Sequence, residues 1–154
     1  MDLTEKGAHA AQLGGPEAAE LLGRLMSGES ITDYTTSVCY DTVAFCSYLG
    51  QRFGIQPGDL LAKSGQDWLP IFDFDSGTKW VGQDIPAGSA VGFRRPDKYF
   101  HAAVGIGGTQ VRGVNGFLLS PGWSEVVDLT TVIKDPDEDG AFEYDGTKIQ
   151  VFFT

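Results

Sequence analysis

The sequence predicts an α+β domain in which N-terminal helices pack on a C-terminal antiparallel β-sheet. Two observations favour this fold class. Apolar residues recur at helical spacing in the first third of the chain, and short apolar segments separated by Gly-containing turns fill the last third. Helical patterns followed by strand patterns, rather than alternating with them, are typical of an α+β domain.

Two helices are predicted before the strands. The first begins at Gly14-Gly15-Pro16-Glu17, because Pro suits a first helical turn and Glu suits its positive end, and it ends at Gly28. The second runs from Val38 to Arg52 and is closed by Gly54. Its apolar positions form one predicted buried stripe, made of Cys39, Val43, Cys46, Leu49 and Phe53.

The strands are predicted after residue 86. Residues 55–90 are rich in Gly, Asp and Pro and predict loops with a short strand or helix. Gly107-Gly108 and Asp145-Gly146 are each typical of a two-residue hairpin turn. The predicted strands are Ala90–Arg94, Phe100–Ile106, Thr109–Val114, a segment near Glu125–Leu129, and Lys148–Phe153.

Length and charge limit the class of protein. The chain has 154 residues, which predicts one domain spanning 1–154, with residues 1–14 as a loose lead-in. A net charge of −10 argues against binding to nucleic acid or to anionic lipid. No segment approaches the roughly 18 apolar residues of a membrane span. The N-terminus lacks the basic and then apolar regions of a secretory signal, so we expect a cytoplasmic protein, one exported by a signal-independent route, or a domain of a longer protein.

Cys39 is the strongest candidate for a reactive residue. It is predicted in the first turn of the second helix, directly after the hydroxyl-bearing residues Thr35, Thr36 and Ser37. A helix N-terminus carries a partial positive charge and unpaired N–H groups, and both favour the nucleophilic thiolate. His101 opens an apolar strand, whereas the other histidine, His9, lies in the lead-in. We therefore expect the Cys39 sulfur and the His101 imidazole to meet at hydrogen-bonding distance.

The two cysteines are predicted to be free thiols. Cys39 and Cys46 lie two turns apart on one predicted helix, which separates their Cα atoms by about 10 Å and exceeds the reach of a disulfide. Cys46 is interpreted as a core residue. Two cysteines and two histidines at these spacings do not form a zinc site, and neither a metal nor another cofactor is predicted.

Two segments carry a resemblance to a known superfamily. Val38-Cys39-Tyr40-Asp41-Thr42-Val43 looks like a nucleophile helix, and Pro86-Ala87-Gly88 followed by His101-Ala102-Ala103-Val104 looks like a histidine-strand passage. Together they resemble the papain-like thiol hydrolases, most closely the compact NlpC-type and CHAP-type peptidases and amidases. The resemblance covers positions 38–54 and 86–115. It implies a papain-like fold with Cys39 as nucleophile and His101 as its base.

The sequence departs from this pattern at two positions. Tyr40-Asp41 stands where many members have Ser-Gly after the nucleophile. The third polar group of the family falls by counting on Gly113, which cannot orient an imidazole. Asn115 is the nearest substitute, although Asn-Gly is also a turn signal, and Gln110 and Asp41 are further alternatives.

The resemblance implies a thiol-dependent hydrolase of amide bonds that acts through a thioester. Cys39 would attack a carbonyl carbon, His101 would protonate the leaving amine, and the third group would orient the ring. The Cys39 amide would stabilise the oxyanion, with Tyr34 or Thr36 as a second donor. The substrate would be a peptide, a peptidoglycan peptide or a protein, so the enzyme would be an amidase, a peptidase or a deamidase. The divergence suggests a bacterial effector or toxin domain, which would imply a cognate immunity protein or chaperone.

Two other interpretations stay open. The first is a non-catalytic binding module on an α+β scaffold, in which Cys39 and His101 only pack, since free cysteines are often buried. The second concerns the acidic run from Asp135 to Asp139, which matches the first half of a calcium loop. Gly146 stands where that loop needs a bidentate Glu, so we interpret the run as an acidic surface loop.

Overall fold

The computed structural model describes all 154 residues and contains six α-helices and seven strands in an antiparallel arrangement, which confirms the predicted α+β class. The helices are α1 (Glu5–Ala10), α2 (Gly15–Met26), α3 (Cys39–Leu49), α4 (Pro57–Ala62), α5 (Leu69–Phe72) and α6 (Leu129–Val132). The strands are β1 (Thr78–Lys79), β2 (Ala90–Arg94), β3 (Tyr99–Gly107), β4 (Gln110–Arg112), β5 (Val127–Asp128), β6 (Phe142–Tyr144) and β7 (Thr147–Phe153).

The strand order in the sheet is β1-β7-β2-β3-β4-β5, and β6 pairs with β7. Both predicted hairpin turns are confirmed. Gly107 and Gly108 join β3 to β4 with φ values of 110° and 56°, and Asp145 and Gly146 join β6 to β7 with φ values of 51° and 76°. Left-handed backbone of this kind costs Gly nothing and Asp little, so the sequence fixes both turns locally.

Apolar side chains are buried on both faces of the sheet, because successive residues of a strand point to opposite sides. On one face, Ala90, Ala102 and Val104 belong to the core that includes α2 and α3. On the other face, Val91, Phe93 and Ala103 belong to a second core formed with the loop between β4 and β5, with chain segments after β5 and with residues near β1. The second core includes Trp80, Leu119, Leu129, Ile133 and Phe142.

Helix α3 differs from the prediction in length and in burial. It ends at Leu49 with Gly50 as its C-cap, and Gln51 and Phe53 then adopt positive φ values of 56° and 60°. The helix is buried on almost every side, including the polar residues Asp41, Thr42 and Ser47. The prediction that α3 buries only one apolar stripe was therefore wrong, because α3 lies between the sheet and the other helices rather than at the surface.

The N-terminal segment is not loose, and this prediction was wrong. Thr4 caps α1 by accepting from the amide of Gly7, and Met1 is 6% exposed. Gly7 packs so closely on the Tyr34 carbonyl that a Cβ at this position would lie 2.0 Å from the oxygen. His9 is exposed on α1. Close backbone packing thus joins residues 1–14 to the domain.

Strand β4 is shorter than predicted, and this shapes the candidate site. It pairs with β3 only as far as Arg112, which lies opposite Val104. The chain then leaves the sheet at Gly113 and rejoins it only at Val127, so the edge of β3 beyond Val104 is not covered by β4. Among the helices, none combines the length and the apolar character needed to cross a membrane.

Candidate functional site

Cys39 is the first residue of α3, as the sequence predicted, but the helix begins without a side-chain cap. Its N-cap is Val38, and none of the hydroxyl groups of Thr35, Thr36 and Ser37 accepts a hydrogen bond from the first turn. Thr42 is the first residue of α3 whose amide donates to a backbone carbonyl, that of Val38. The amides of Cys39 and Tyr40 therefore have no backbone acceptor. The positive end of the α3 dipole is therefore open at Cys39.

The Cys39 sulfur lies near the part of β3 that is not paired with β4. Gly105 exchanges backbone hydrogen bonds with Ser89 and Gly88 on the β2 side, at 2.9 and 2.8 Å. Hydrogen-bonding directions alternate along a strand, so the amide of Ala102 points to the opposite side, beyond the end of β4. There the backbone amide of Ala102 is near the Cys39 sulfur and lowers the pKa of the thiol.

The resting form of Cys39 is the thiol. Burial raises the pKa of this thiol, and the amides of Ala102 and Tyr40 oppose that shift by favouring the thiolate. The carboxylate of Asp41 adds a smaller upward shift to the same pKa. A base that removes the proton would therefore be needed for Cys39 to act as a nucleophile at neutral pH.

His101 lies on the face of β3 that belongs to the second core. Its ring stacks on Phe93 with centroids 5.4 Å apart, and the residue is 2% exposed. Its Nε2 is hydrogen-bonded to the hydroxyl of Ser120 at 2.8 Å. Gly116 covers the ring so closely that a Cβ there would lie 2.4 Å from Nε2. The imidazole is therefore held by a stacked ring, a hydroxyl and a backbone segment.

The second ring nitrogen of His101 is buried and has no hydrogen-bond partner. Burial lowers the pKa of the imidazole to about 4, so the ring is neutral at pH 7. A buried polar nitrogen without a partner is uncommon in folded proteins because it costs free energy. The imidazole is therefore neutral at pH 7 and keeps one ring nitrogen without a hydrogen-bond partner.

The structure places the start of α3, with Cys39, near the part of β3 that carries His101, but the two side chains do not meet. The sulfur contacts the strand at Ala102, the residue after His101, whereas the ring lies on the face of the sheet. No hydrogen bond links the thiol to the imidazole. The expected direct contact is absent because Cys39 packs against the first core, whereas the His101 ring lies on the opposite face of the sheet and is hydrogen-bonded to Ser120.

Asn115 does not orient His101, and this expectation was wrong. Its side-chain amide donates to the carbonyl of Ser37, which ties the loop after β4 to the segment before α3. Gln110 is exposed on β4. The carboxylate of Asp41 accepts from the amide of Gly65 and the indole of Trp68, at 2.9 and 3.2 Å. Neither alternative is therefore the partner of the imidazole.

Ser120 is the partner that sequence reasoning missed. It lies 19 positions after His101, in a Ser-Pro-Gly turn that carries no helical or strand periodicity. The only sequence signal was Gly113, because the family resemblance predicts a polar side chain at this position and glycine has none. A Cβ at Gly113 would lie 2.5 Å from the Ser120 hydroxyl oxygen, so the serine fills the space that this glycine leaves empty.

The proposed second oxyanion donors are also placed differently. The hydroxyl of Tyr34 donates to Glu29 at 2.9 Å and is not directed at Cys39. Thr36 is exposed and lines a separate depression with Val38 and Asp41. The amides that remain available near the sulfur are those of Cys39 and Tyr40 at the start of α3 and that of Ala102 on β3.

A cavity of about 500 Å³ lies next to His101. The loop after β4 forms one wall, where Phe117 is 86% exposed and Leu118 is 67% exposed. The stacked rings of Phe100 and Tyr144, with the Arg95 guanidinium 4.3 Å from the Phe100 ring centre, form the other. The cavity is lined by Arg95, Phe100, His101, Asn115, Gly116, Phe117, Leu118, Tyr144 and Asp145.

The remaining candidate groups have structural surroundings. Cys39 and Cys46 are both free thiols, as predicted, and burial raises the pKa of Cys46 to about 12. In the acidic loop, the Asp137 carboxylate is 2.9 Å from the Lys148 ammonium and accepts from two backbone amides. No group of three or more His, Cys, Asp or Glu side chains could hold a metal ion.

Comparison with known proteins adds no family assignment. A scan against protein-family models gives no match, and a search of curated proteins gives no match either.

Proposed function

We propose that the protein is a thiol-dependent hydrolase of amide bonds, with Cys39 as nucleophile and His101 as general base and acid. One observation carries this proposal: a buried, neutral imidazole keeps an unpaired Nδ1 on the strand whose next amide contacts the Cys39 sulfur. A structural histidine normally satisfies both nitrogens when it is buried. Contacts between nucleophile and base are often looser in a free enzyme than with substrate bound.

The reaction would begin when the Cys39 sulfur attacks the carbonyl carbon of an amide and its proton passes to Nδ1 of His101. The carbonyl oxygen becomes an oxyanion, which the free amides at the start of α3 can stabilise. The imidazolium then returns the proton to the leaving nitrogen as the C–N bond breaks, and a thioester and an amine or ammonia result. Water then attacks the thioester carbon and gives a proton to Nδ1. The C–S bond breaks, which releases the acid, and the imidazolium returns the proton to the sulfur and so restores the thiol.

The substrate class follows from this chemistry. A thioester enzyme of this kind can cleave a peptide or an amide cross-link, or it can deamidate a protein side chain. The cavity beside His101 is lined by both aromatic or apolar and charged side chains, among them Phe117, Arg95 and Asp145, which suits the mixed side chains of a peptide or protein substrate. The resemblance to NlpC-type and CHAP-type enzymes, and the effector or toxin role with its immunity protein or chaperone, belong to the same proposal.

The test is mass spectrometry of peptidoglycan peptides and of candidate host proteins after incubation with wild-type protein, Cys39→Ala and His101→Ala. We expect cleavage or deamidation with the wild type and at least a 100-fold slower reaction with either variant, in line with the roughly 100- to 10,000-fold effect of general acid–base catalysis. Cys46→Ala is the matched control and should retain activity if it folds. Activity that persists in Cys39→Ala would refute the proposal.

A second candidate is a non-catalytic binding module. One observation favours it: the His101 ring is 2% exposed and makes no hydrogen bond to the thiol. Iodoacetamide labelling at neutral pH, followed by mass mapping of the two cysteines, separates the two candidates. The hydrolase predicts fast labelling of Cys39 that slows in His101→Ala. Equally slow labelling of Cys39 and Cys46, unaffected by His101→Ala, would support the binding module.

A further inference from the structure

The hydrogen bonds of Ser120 determine which nitrogen of His101 carries the proton. The Ser120 hydroxyl lies 2.7 Å from the carbonyl oxygen of Leu119 and 2.8 Å from Nε2 of His101. A carbonyl oxygen only accepts, so the single hydroxyl proton is directed to Leu119. The hydroxyl oxygen is then the acceptor toward Nε2, which must carry the ring proton. In a neutral ring, Nδ1 is left with its lone pair.

This assignment explains the unpaired nitrogen. Nδ1 is the buried ring atom without a partner, and as an unprotonated nitrogen it can accept a proton but not donate one. In the other tautomer, the Nε2 atom that faces Ser120 would be an acceptor opposite an acceptor. The hydroxyl would then have to leave Leu119.

The loop that brings Ser120 to the ring is built around two glycines. Gly113 leaves the space that the hydroxyl occupies, and Gly116 allows the backbone to lie directly on the imidazole. Asn115 and Phe117, the residues on either side of Gly116, adopt left-handed backbone, with φ values of 55° and 51°. Strained backbone of non-glycine residues persists where the surrounding structure requires it, often at functional sites. Ser120 itself is 1% exposed, so water does not compete for its hydroxyl.

We propose that Ser120 is the positioning residue of the site: it holds His101 as the Nε2–H tautomer, with Nδ1 presented as the base, in place of the strand side chain that Gly113 lacks. This inference rests on the proposed thiol chemistry for its consequence, although its structural content can be tested without any substrate. Ser120 does not touch the reacting atoms and acts only through the imidazole ring.

The first experiment is ¹⁵N NMR of the histidine side chains, which is simple because the chain contains only His9 and His101. We expect His101 in the wild type to be the Nε2–H tautomer with a slowly exchanging ring proton, and exposed His9 to exchange rapidly. In Ser120→Ala the exchange of the Nε2 proton should accelerate at least tenfold, whereas Ser120→Thr should keep it slow. An Nδ1–H tautomer in the wild type, or an unchanged exchange rate in Ser120→Ala, would overturn the inference.

Two glycine variants test the same point without removing the serine. Gly113→Ala places a methyl group 2.5 Å from the Ser120 hydroxyl and should therefore displace it and reproduce the Ser120→Ala spectrum. Gly122→Ala is the matched control, because a Cβ there meets nothing within 4 Å. A slow Nε2 proton in folded Gly113→Ala would contradict the proposed placement of the hydroxyl.

The chemical consequence is measured by the rate of Cys39 alkylation as a function of pH. We expect Ser120→Ala to lower the rate at neutral pH at least about tenfold, toward that of His101→Ala, and Ser120→Thr to stay near the wild type. Ser89→Ala removes an equally buried serine and should change nothing. If His101→Ala slows alkylation but Ser120→Ala does not, this inference fails and the proposed function stands. If His101→Ala has no effect, the proposed function itself fails.

Discussion

The charge state of His101 links the candidate site to the stability of the fold. Burial favours the neutral ring and depresses the pKa of the imidazole from 6.5 to about 4. Between these pH values the unfolded chain binds a proton at this residue and the folded protein does not. The proton therefore stabilises the unfolded state, and the free energy of unfolding falls as the pH decreases from 6.5 toward 4.

We predict that His101 alone lowers the free energy of unfolding by about 3 kcal/mol between pH 7 and pH 4. The measurement is urea unfolding of wild type and His101→Gln at several pH values, and the pH dependence is compared rather than the absolute stability. His101→Gln should lack this part of the pH dependence, because glutamine does not titrate. His9→Gln, at an exposed position, should follow the wild type. The same pH dependence in His101→Gln and wild type would show that the ring titrates normally in the folded state.

At the scale of elements, α3 shows what the sequence could and could not predict. Its start at Cys39 follows from local patterns, and so do strands β2, β3 and β7 and the two hairpin turns, because each depends on residues close in sequence. Burial of Asp41, Thr42 and Ser47 could not be predicted, since it depends on elements that pack on α3 from both sides. The role of Ser120 could not be predicted for the same reason, because its partner His101 is distant in sequence and is reached only through the loop that leaves the sheet after β4.

Asp41 holds the short segment after α4 against the first turn of α3. Its carboxylate is 2% exposed and accepts from the amide of Gly65 and the indole of Trp68, at 2.9 and 3.2 Å. It also lies near the positive end of α3, where a negative charge is favourable. Polar residues in the predicted apolar helix thus serve to connect α3 to its neighbours.

We predict that Asp41→Ala lowers the free energy of unfolding by about 2 to 4 kcal/mol, because two donors lose their acceptor in a largely buried place. Asp41→Asn keeps one acceptor oxygen and should be less destabilising. Both values come from urea unfolding at pH 7. Asp84→Ala, at an exposed position without a hydrogen bond, is the control and should stay within about 0.5 kcal/mol of the wild type. Equal effects at Asp41 and Asp84 would mean that the two hydrogen bonds contribute little.

At the scale of the whole molecule, one arginine joins the helical and sheet parts at the end of α2. Nε of Arg112 donates to the carbonyl of Met26 at 2.7 Å, and Nη1 donates to the carbonyl of Trp123 at 2.8 Å. The Trp123 indole donates in turn to the carbonyl of Leu25 at 2.8 Å. The last carbonyls of a helix lack partners within it, so these contacts satisfy the end of α2 and place a cation at its negative end.

The hydrogen bond between Arg112 and Trp123 also joins the two ends of the loop that carries Ser120, because Arg112 precedes this loop and Trp123 follows it. Because these contacts hold both ends of the loop in place, they restrict where the loop can position Ser120 relative to His101. We therefore expect the position of the imidazole to depend on the contacts that Arg112 makes at the end of α2. Sequence reading could not find this dependence, since Arg112 looks like an ordinary polar residue of a hairpin strand.

We predict that Arg112→Met lowers the free energy of unfolding by about 3 kcal/mol, because buried carbonyl groups lose charged donors while the side chain keeps its apolar length. The same variant should accelerate exchange of the His101 Nε2 proton, since the loop ends are no longer held. Urea unfolding and ¹⁵N NMR measure the two effects. Arg24→Met, which removes two ion pairs of an exposed side chain, is the control and should change the free energy of unfolding little and leave the exchange rate unchanged. Destabilisation by Arg112→Met with an unaltered exchange rate would restrict Arg112 to a structural role.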